Sequence, residues 1–169
     1  MIVHIHNQKP LSFGEGPIVL ILSPSKAVAQ ENHSLIREFI RGGPLSALLI
    51  CGGEPKSTQI EKLAEGSDIV VATVGRLLEM LEIDAINFNR CSLVILDNAI
   101  DLSDLESQLN PIINLTRPDK QLVVFSSKWP TKLLPVLDTH LKDAIQINLL
   151  QHGKQTIQVV TSKMLRMHR

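Results

Sequence analysis

Apolar residues in this chain fall into short unbroken runs, separated by stretches in which they return every three or four positions. The runs are "IVLIL" (18–22), "ALLIC" (47–51), "DIVVAT" (68–73), "LVIL" (93–96), "QLVVFS" (121–126) and "AIQINL" (144–149). They are rich in Val, Ile and Leu and do not alternate with polar residues, the pattern of strands covered on both faces of a parallel sheet. "SKAVAQENHSLIREFIRG" (25–42), "STQIEKLAEG" (57–66), "VGRLLEMLE" (74–82) and "PTKLLPVLDTHLK" (130–142) have the helical spacing instead, and the first two stop at Gly42 and Gly66. Strand and helix in alternation predict an α/β fold: one doubly wound, mostly parallel sheet with right-handed crossovers.

The pattern divides the chain into an N-terminal extension (1–16), a core (17–150) and a C-terminal piece (151–169), all within a single domain over 1–169. The extension starts in a strand-like way and continues as an exposed Pro/Gly loop. His4 and His6 would share one face of that first strand, a spacing able to hold a metal, but no third ligand stands nearby, so no metal site is expected. The C-terminal piece holds one more strand candidate, 156–161, and a basic tail.

A length of 169 residues suits one domain burying roughly 70 % of its unfolded surface. Lys plus Arg and Asp plus Glu number 17 each, so no global basic field draws in nucleic acid and any such contact has to be local. No run of about 18 apolar residues and no charged-then-apolar leader is present, which sets the expectation of a soluble intracellular protein without a membrane partner. Cys51 and Cys91 lack metal-ligand spacing and read as reduced, structural thiols. Trp129, just before Pro130 at a helix start, is expected to pack against the sheet.

Ligands of doubly wound sheets gather beyond the carboxyl ends of the strands. Those corners are Ser23 to Lys26, Gly52 and Gly53, Thr73 to Arg76, Asp97 to Ala99, and Ser126 to Lys128. A nucleotide hydrolase of this architecture would also need G-x-x-x-x-G-K-[ST], and that string does not occur. The one Gly-Lys pair, Gly153 and Lys154, is followed by Gln155 and reads as a turn. In "LVILDNAIDL" (93–102) a buried strand delivers Asp97 to a polar corner, where a single carboxylate makes a weak magnesium site and would also serve as a cap for the next segment.

Taken in order, the corners resemble the first RecA-like domain of the DEAD-box RNA helicases. Pro24-Ser25-Lys26-Ala27-Val28-Ala29 is similar to that family's PTRELA motif, Gly52-Gly53 to its GG turn, and Thr73-Val74-Gly75-Arg76 to TPGR. Asp97-Asn98-Ala99-Ile100 stands in the place of DEAD, and Ser126-Ser127-Lys128 in the place of SAT, within "VVFSSKWP". The resemblance covers about residues 17 to 150 and implies a RecA-like domain, here without the phosphate-binding loop.

The departures concern ATP. Family members use ATP and Mg2+, and the acid after the first Asp of DEAD activates water; Asn98 has no carboxylate to do so. Ile100 replaces the acid that ties this corner to SAT, and Lys128 replaces the last residue of SAT. The resemblance therefore implies a catalytically defective domain, with no cofactor expected. The RNA-facing positions are better kept: Pro24, Ser25, Lys26, Gly52, Gly53, Thr73, Gly75 and Arg76 match or nearly match segments that hold single-stranded RNA by its backbone. Taken singly, Gly52-Gly53 also reads as a tight turn, Thr73 as a helix cap and Arg76 as a solvated side chain. The chain has no tyrosine to stack bases, so weak binding is expected.

Three functional expectations follow. The first is an RNA-contact and protein-interaction scaffold, whose free nucleotide-cleft face meets a protein partner or a second copy. Its eroded motifs are most similar to the Tudor-domain-containing helicase-like proteins of the piRNA pathway, which implies cytoplasmic ribonucleoprotein granules. The second is a piece of an active ATP-dependent helicase whose phosphate loop lies upstream. The third is a dimerisation module without RNA contact.

Overall fold

A computed structural model of the protein describes residues 1–141, 143–151 and 155–161, and the structural statements below concern those residues. Seven strands make one sheet: β1 (Val19–Ser23), β2 (Ala47–Ile50), β3 (Ile69–Thr73), β4 (Leu93–Leu96), β5 (Gln121–Ser126), β6 (Ile145–Gln151) and β7 (Gln155–Thr161), in the order β2-β3-β1-β4-β5-β7-β6. β1 to β5 are parallel, as their apolar runs predict. β1 is the middle one of these five parallel strands, with all five of its residues buried.

Side chains alternate across the sheet and so feed two apolar layers. Leu20 and Leu22 of β1 point into a cluster with Leu77 and Met80 of α4 (Val74–Glu82), Leu109, Ile112 and Ile113 of α5 (Glu106–Asn114), and Leu133, Val136 and Leu137 at α6 (Leu134–His140). Val19 and Ile21 point the other way, against Ala29 and Ile36 of α2 (Lys26–Phe39) and Ile5 of α1 (Ile2–His6). α3 (Lys56–Glu65) adds Ile60 and Leu63 to the rim of the first layer.

Four expectations need correction. The chain start is helix α1, not a strand: "IVHIH" is rich in β-branched residues, but Ile5 is buried under the sheet and α1 closes its own hydrogen bonds from Met1 onward. His4 and His6, two apart on a helix, face different ways. His4 Nε2 pairs with Ser92 Oγ at 2.8 Å, while His6 Nδ1 lies 3.0 Å from the Ile2 carbonyl. Second, the sequence reading named no helix between β4 and β5, and α5 stands there with Pro111 inside it; burial of Leu109, Ile112 and Ile113 outweighs the one missing N–H. Third, 130–142 is not one helix. Thr131–Leu133 forms a 3-10 turn before α6, which has Pro135 in its first turn. Fourth, β6 is not a covered parallel strand but the outer strand of an antiparallel hairpin with β7, leaving Ile145 and Ile147 half exposed. The link from Gln151 to Gln155 is far too short for a parallel crossover. Gly153, Lys154 and the basic tail lie outside the described residues.

Cys51 and Cys91 are unbonded and buried, and burial pushes the Cys91 thiol up to about 12. No helix among the described residues is long and apolar enough to cross a membrane. Burial also lowers His4, His33 and His140 from the ordinary 6.5. Their folded pKa values lie below the unfolded one, so their contribution to stability is present above about pH 6.5 and is lost as the pH falls. The urea midpoint should therefore drop between pH 7.5 and pH 5.5, and His33→Gln should flatten that drop; a midpoint that is level or rises toward acid contradicts the assignment.

Candidate nucleic-acid interface

Because β1 to β5 are parallel and in register, Ser23 lying beside Thr73 and Leu96 beside Leu22 and Val124, their carboxyl ends line one edge of the sheet. All five motif-like corners therefore gather there, as their order in the sequence implied.

Pro24 leads from β1 into α2. Ser25 is the N-cap of α2, its hydroxyl accepting from the Val28 N–H at 3.3 Å. Lys26 starts the helix, exposed, and its ammonium reaches across the glycine turn: a Cβ built on Gly53 would stand 2.8 Å from Lys26 Nζ. Gly53 has φ of +83°, so the turn favours glycine there for its backbone, whereas the exposed Lys26 side chain could move aside for a larger residue. Gly52 is half-buried with open space beside it. Beneath the turn, buried Gln59 donates Nε2–H to the Cys51 carbonyl at 2.8 Å.

Thr73 takes the N-cap position of α4 but its side chain makes no capping bond, so the sequence reading of Thr73 as a cap is met in place only. Gly75 is exposed. Arg76 is not the solvated side chain that its isolated reading suggests, for only 11 % of that side chain is exposed. Its Nη1–H donates to the Glu54 carbonyl at 3.0 Å, bracing the glycine turn, and its Nε lies 3.0 Å from Glu79 Oε2. The same carboxylate oxygen is 2.9 Å from Lys56 Nζ, and Lys56 beside it holds the Glu79 carboxyl below the usual carboxylate range.

At the next corner Asp97 does not cap the segment after it. Its Oδ2 accepts from the Asn32 amide at 2.7 Å, and that amide also lies 3.2 Å from Ser23 Oγ. Asn98 sits at φ +50°, a left-handed conformation that Asn tolerates better than Glu, and donates its amide N–H to Asp101 at 2.5 Å. Ala99 is pinned to β5 by its N–H on the Phe125 carbonyl at 2.9 Å, and Ile100 is half-buried. At the last corner the Ser126 hydroxyl donates to the Lys128 carbonyl at 2.6 Å, which commits it to its own turn. Ser127 and Lys128 are exposed; Trp129 is half-buried.

Of the two carboxylates at this corner, Asp97 accepts from Asn32 through Oδ2 and Asp101 accepts from the Asn98 amide, so a divalent cation would find one oxygen of each already engaged.

Sequence reasoning missed Asn32, Glu54, Gln59 and Asp101. Their contacts cross up to 65 positions of chain, and nothing in the spacing announces them. Glu79 was within reach, as it follows Arg76 by three on a helix.

Residues 2–134 match the family model described as DEAD/DEAH box helicase. The chain belongs to that family. The mostly parallel sheet with helices on both faces is an α/β, RecA-like fold, as that family's domain has. ATP-dependent RNA helicase DBP2 of Saccharomyces cerevisiae is 38% identical over 150 residues, 88% of this chain and 28% of that protein. ATP-dependent RNA helicase p62 of Drosophila melanogaster is 37% identical over 150 residues, covering 88% of this chain and 21% of its own length. The probable ATP-dependent RNA helicase DDX17 of Homo sapiens gives 37%, 88% and 21% in turn. The chain thus spans about a quarter of the length of these relatives.

Proposed function

We propose that this DEAD-box domain holds single-stranded RNA by its backbone without hydrolysing ATP, and serves as a scaffold for protein partners. The observation that carries the reading is the state of the Asp97 corner. Where the family resemblance implies a water-activating acid, Asn98 offers an amide, in a left-handed turn, spent on Asp101. An amide cannot take a proton from water, and Asp97 is already engaged by Asn32. The RNA-facing set keeps an exposed cation at Lys26 lying over the glycine turn, and Thr73 and Gly75 at the start of α4. In this reading the nucleotide-cleft face of the domain is where a protein partner or a second copy would dock.

The test is RNA-stimulated ATP hydrolysis. The protein is expected to show no turnover above background, and Asn98→Glu alone is expected not to restore it, since Ile100 and Lys128 remain and Glu is strained at a positive φ. Turnover by the unmodified protein at ordinary helicase rates overturns the reading. That outcome would favour the second reading, an ATP-dependent RNA helicase, which the relatives named ATP-dependent RNA helicases at 37–38% identity support. Eroded motifs also suit the Tudor-domain-containing proteins of the piRNA pathway. Germ-granule localisation of the tagged chain would support that narrower placement, and a diffuse or nuclear signal would remove it.

A further inference from the structure

Three cations from three elements meet at the glycine turn. Lys26, from the start of α2, lies over Gly53, with Nζ 2.8 Å from where a Cβ would be. Lys56, from the start of α3, and Arg76, from α4, both reach one oxygen, Oε2 of Glu79, at 2.9 and 3.0 Å. Arg76 also donates to the carbonyl of Glu54, the residue after Gly53, at 3.0 Å, which brings it to the turn that Lys26 crosses. A single carboxylate therefore sits between two cations of different helices, beside a third.

The partners differ in freedom. Arg76 is tied to the Glu54 carbonyl and its side chain is 11% exposed, so it stays where it is. Lys56 and Glu79 side chains are 55% and 42% exposed, while the shared Glu79 Oε2 itself is covered between the two cations, so an outward swing of Glu79 would uncover both. The Glu79 carboxylate has the charge sign and the acceptor oxygens of a backbone phosphate, and it stands at the turn where the RNA reading places that backbone.

We propose that Glu79 occupies a seat for a backbone phosphate of single-stranded nucleic acid, and that Lys56 is a phosphate-contacting residue of this seat, with Arg76 as its fixed arm. Binding then requires Glu79 to swing out, and Glu79 competes with the nucleic acid for Lys56 and Arg76. The inference rests on the RNA-contact reading above and adds to it a contact residue and an internal competitor.

The experiment is fluorescence anisotropy of a labelled oligo(U) and a labelled oligo(dT) with the intact protein across a salt series. Glu79→Gln removes the competing charge at similar shape and is expected to tighten binding about two- to five-fold, the scale of one exposed charge pair. Lys56→Ala is expected to weaken binding and to lower the slope of log K against log salt by about 0.7, one phosphate contact on a single strand. In the Glu79→Gln background, Lys56→Ala should erase the gain, and Lys56→Arg should keep it. The gain should be equal in oligo(U) and oligo(dT), because phosphate does not report the sugar; a gain confined to RNA overturns the seat. So does unchanged or weaker binding by Glu79→Gln, or unchanged binding by Lys56→Ala. Binding that falls with Lys26→Ala but ignores Lys56 and Glu79 sinks this inference alone. No binding by wild type and Glu79→Gln alike sinks the RNA-contact reading with it. Lys56 is exposed, so its variants remain informative should the Glu79 variant fold poorly.

Discussion

Gly16→Ala is expected to destabilise the fold by about 3 kcal/mol or more, a large effect for one added methyl group. Gly16 is buried, and a Cβ there would stand 1.8 Å from the Asn87 carbonyl oxygen and 2.7 Å from its carbon. Those are backbone atoms, so no rotamer change relieves the contact and one of two chain segments has to move. Both are tied down. Asn87 donates Nδ2–H to the Gly14 carbonyl at 3.1 Å, the Ser12 N–H donates to Glu15 at 2.8 Å, and Arg90 bridges Glu15 and the Lys9 carbonyl. Gly14→Ala is the control: space beside Gly14 is open, and only its φ of +77° resists, about 1 kcal/mol. Urea titrations of both variants measure the contrast. Equal midpoints would mean that the loop before β1 and the segment before β4 separate freely, contrary to the contact drawn here.

Phe88→Ala is expected to lower stability by about 3–5 kcal/mol and Tm by about 10 °C or more. Aromatics make up only 3% of the chain, and Phe88, 2% exposed, is the largest fully buried side chain. It lies between α4 and β4 in the layer shared with Leu20, Leu77, Met80 and Leu109. Removing its ring leaves a cavity that strands and helices on several sides cannot close. Phe88→Leu keeps much of the volume and should lose about 1.5 kcal/mol or less. Comparable losses for the two variants, in thermal melts followed by circular dichroism, would show that volume is not what Phe88 contributes.

Both positions show where local reading stops. Gly16 sits in a Pro/Gly loop and Phe88 in a polar connection, and neither belongs to a periodic run. Periodicity located β1 to β5 to within a residue or so and α4 over its full length, because a buried strand or amphipathic helix writes its environment into the spacing of its own side chains. It failed at α1, where apolar residues mimic a strand, and it named no element at α5, which carries Pro111. In both cases burial against the sheet, Ile5 in one and Leu109, Ile112 and Ile113 in the other, overrode the local signal.

The candidate site divides the same way. Its corner residues were legible, since parallel strands must place their carboxyl ends together and the motif-like segments end those strands. The amide at Asn98 and the apolar side chain at Ile100 were legible as well, because a missing carboxylate is a property of the residue itself. What each side chain does was not. Whether Arg76 faces solvent or braces Glu54, whether Asp97 caps its own segment or takes the amide of Asn32, and which anion stands between Lys56 and Arg76 were decided by the packing of α2, α3 and α4 on the sheet. The sequence by itself determined the layered α/β fold, the order of the corners and the loss of the acid after Asp97, all properties of spacing or residue chemistry. Only the tertiary structure decided the partners, because hydrogen bonds and ion pairs between residues 22 to 65 positions apart depend on where the sheet brings the chain back.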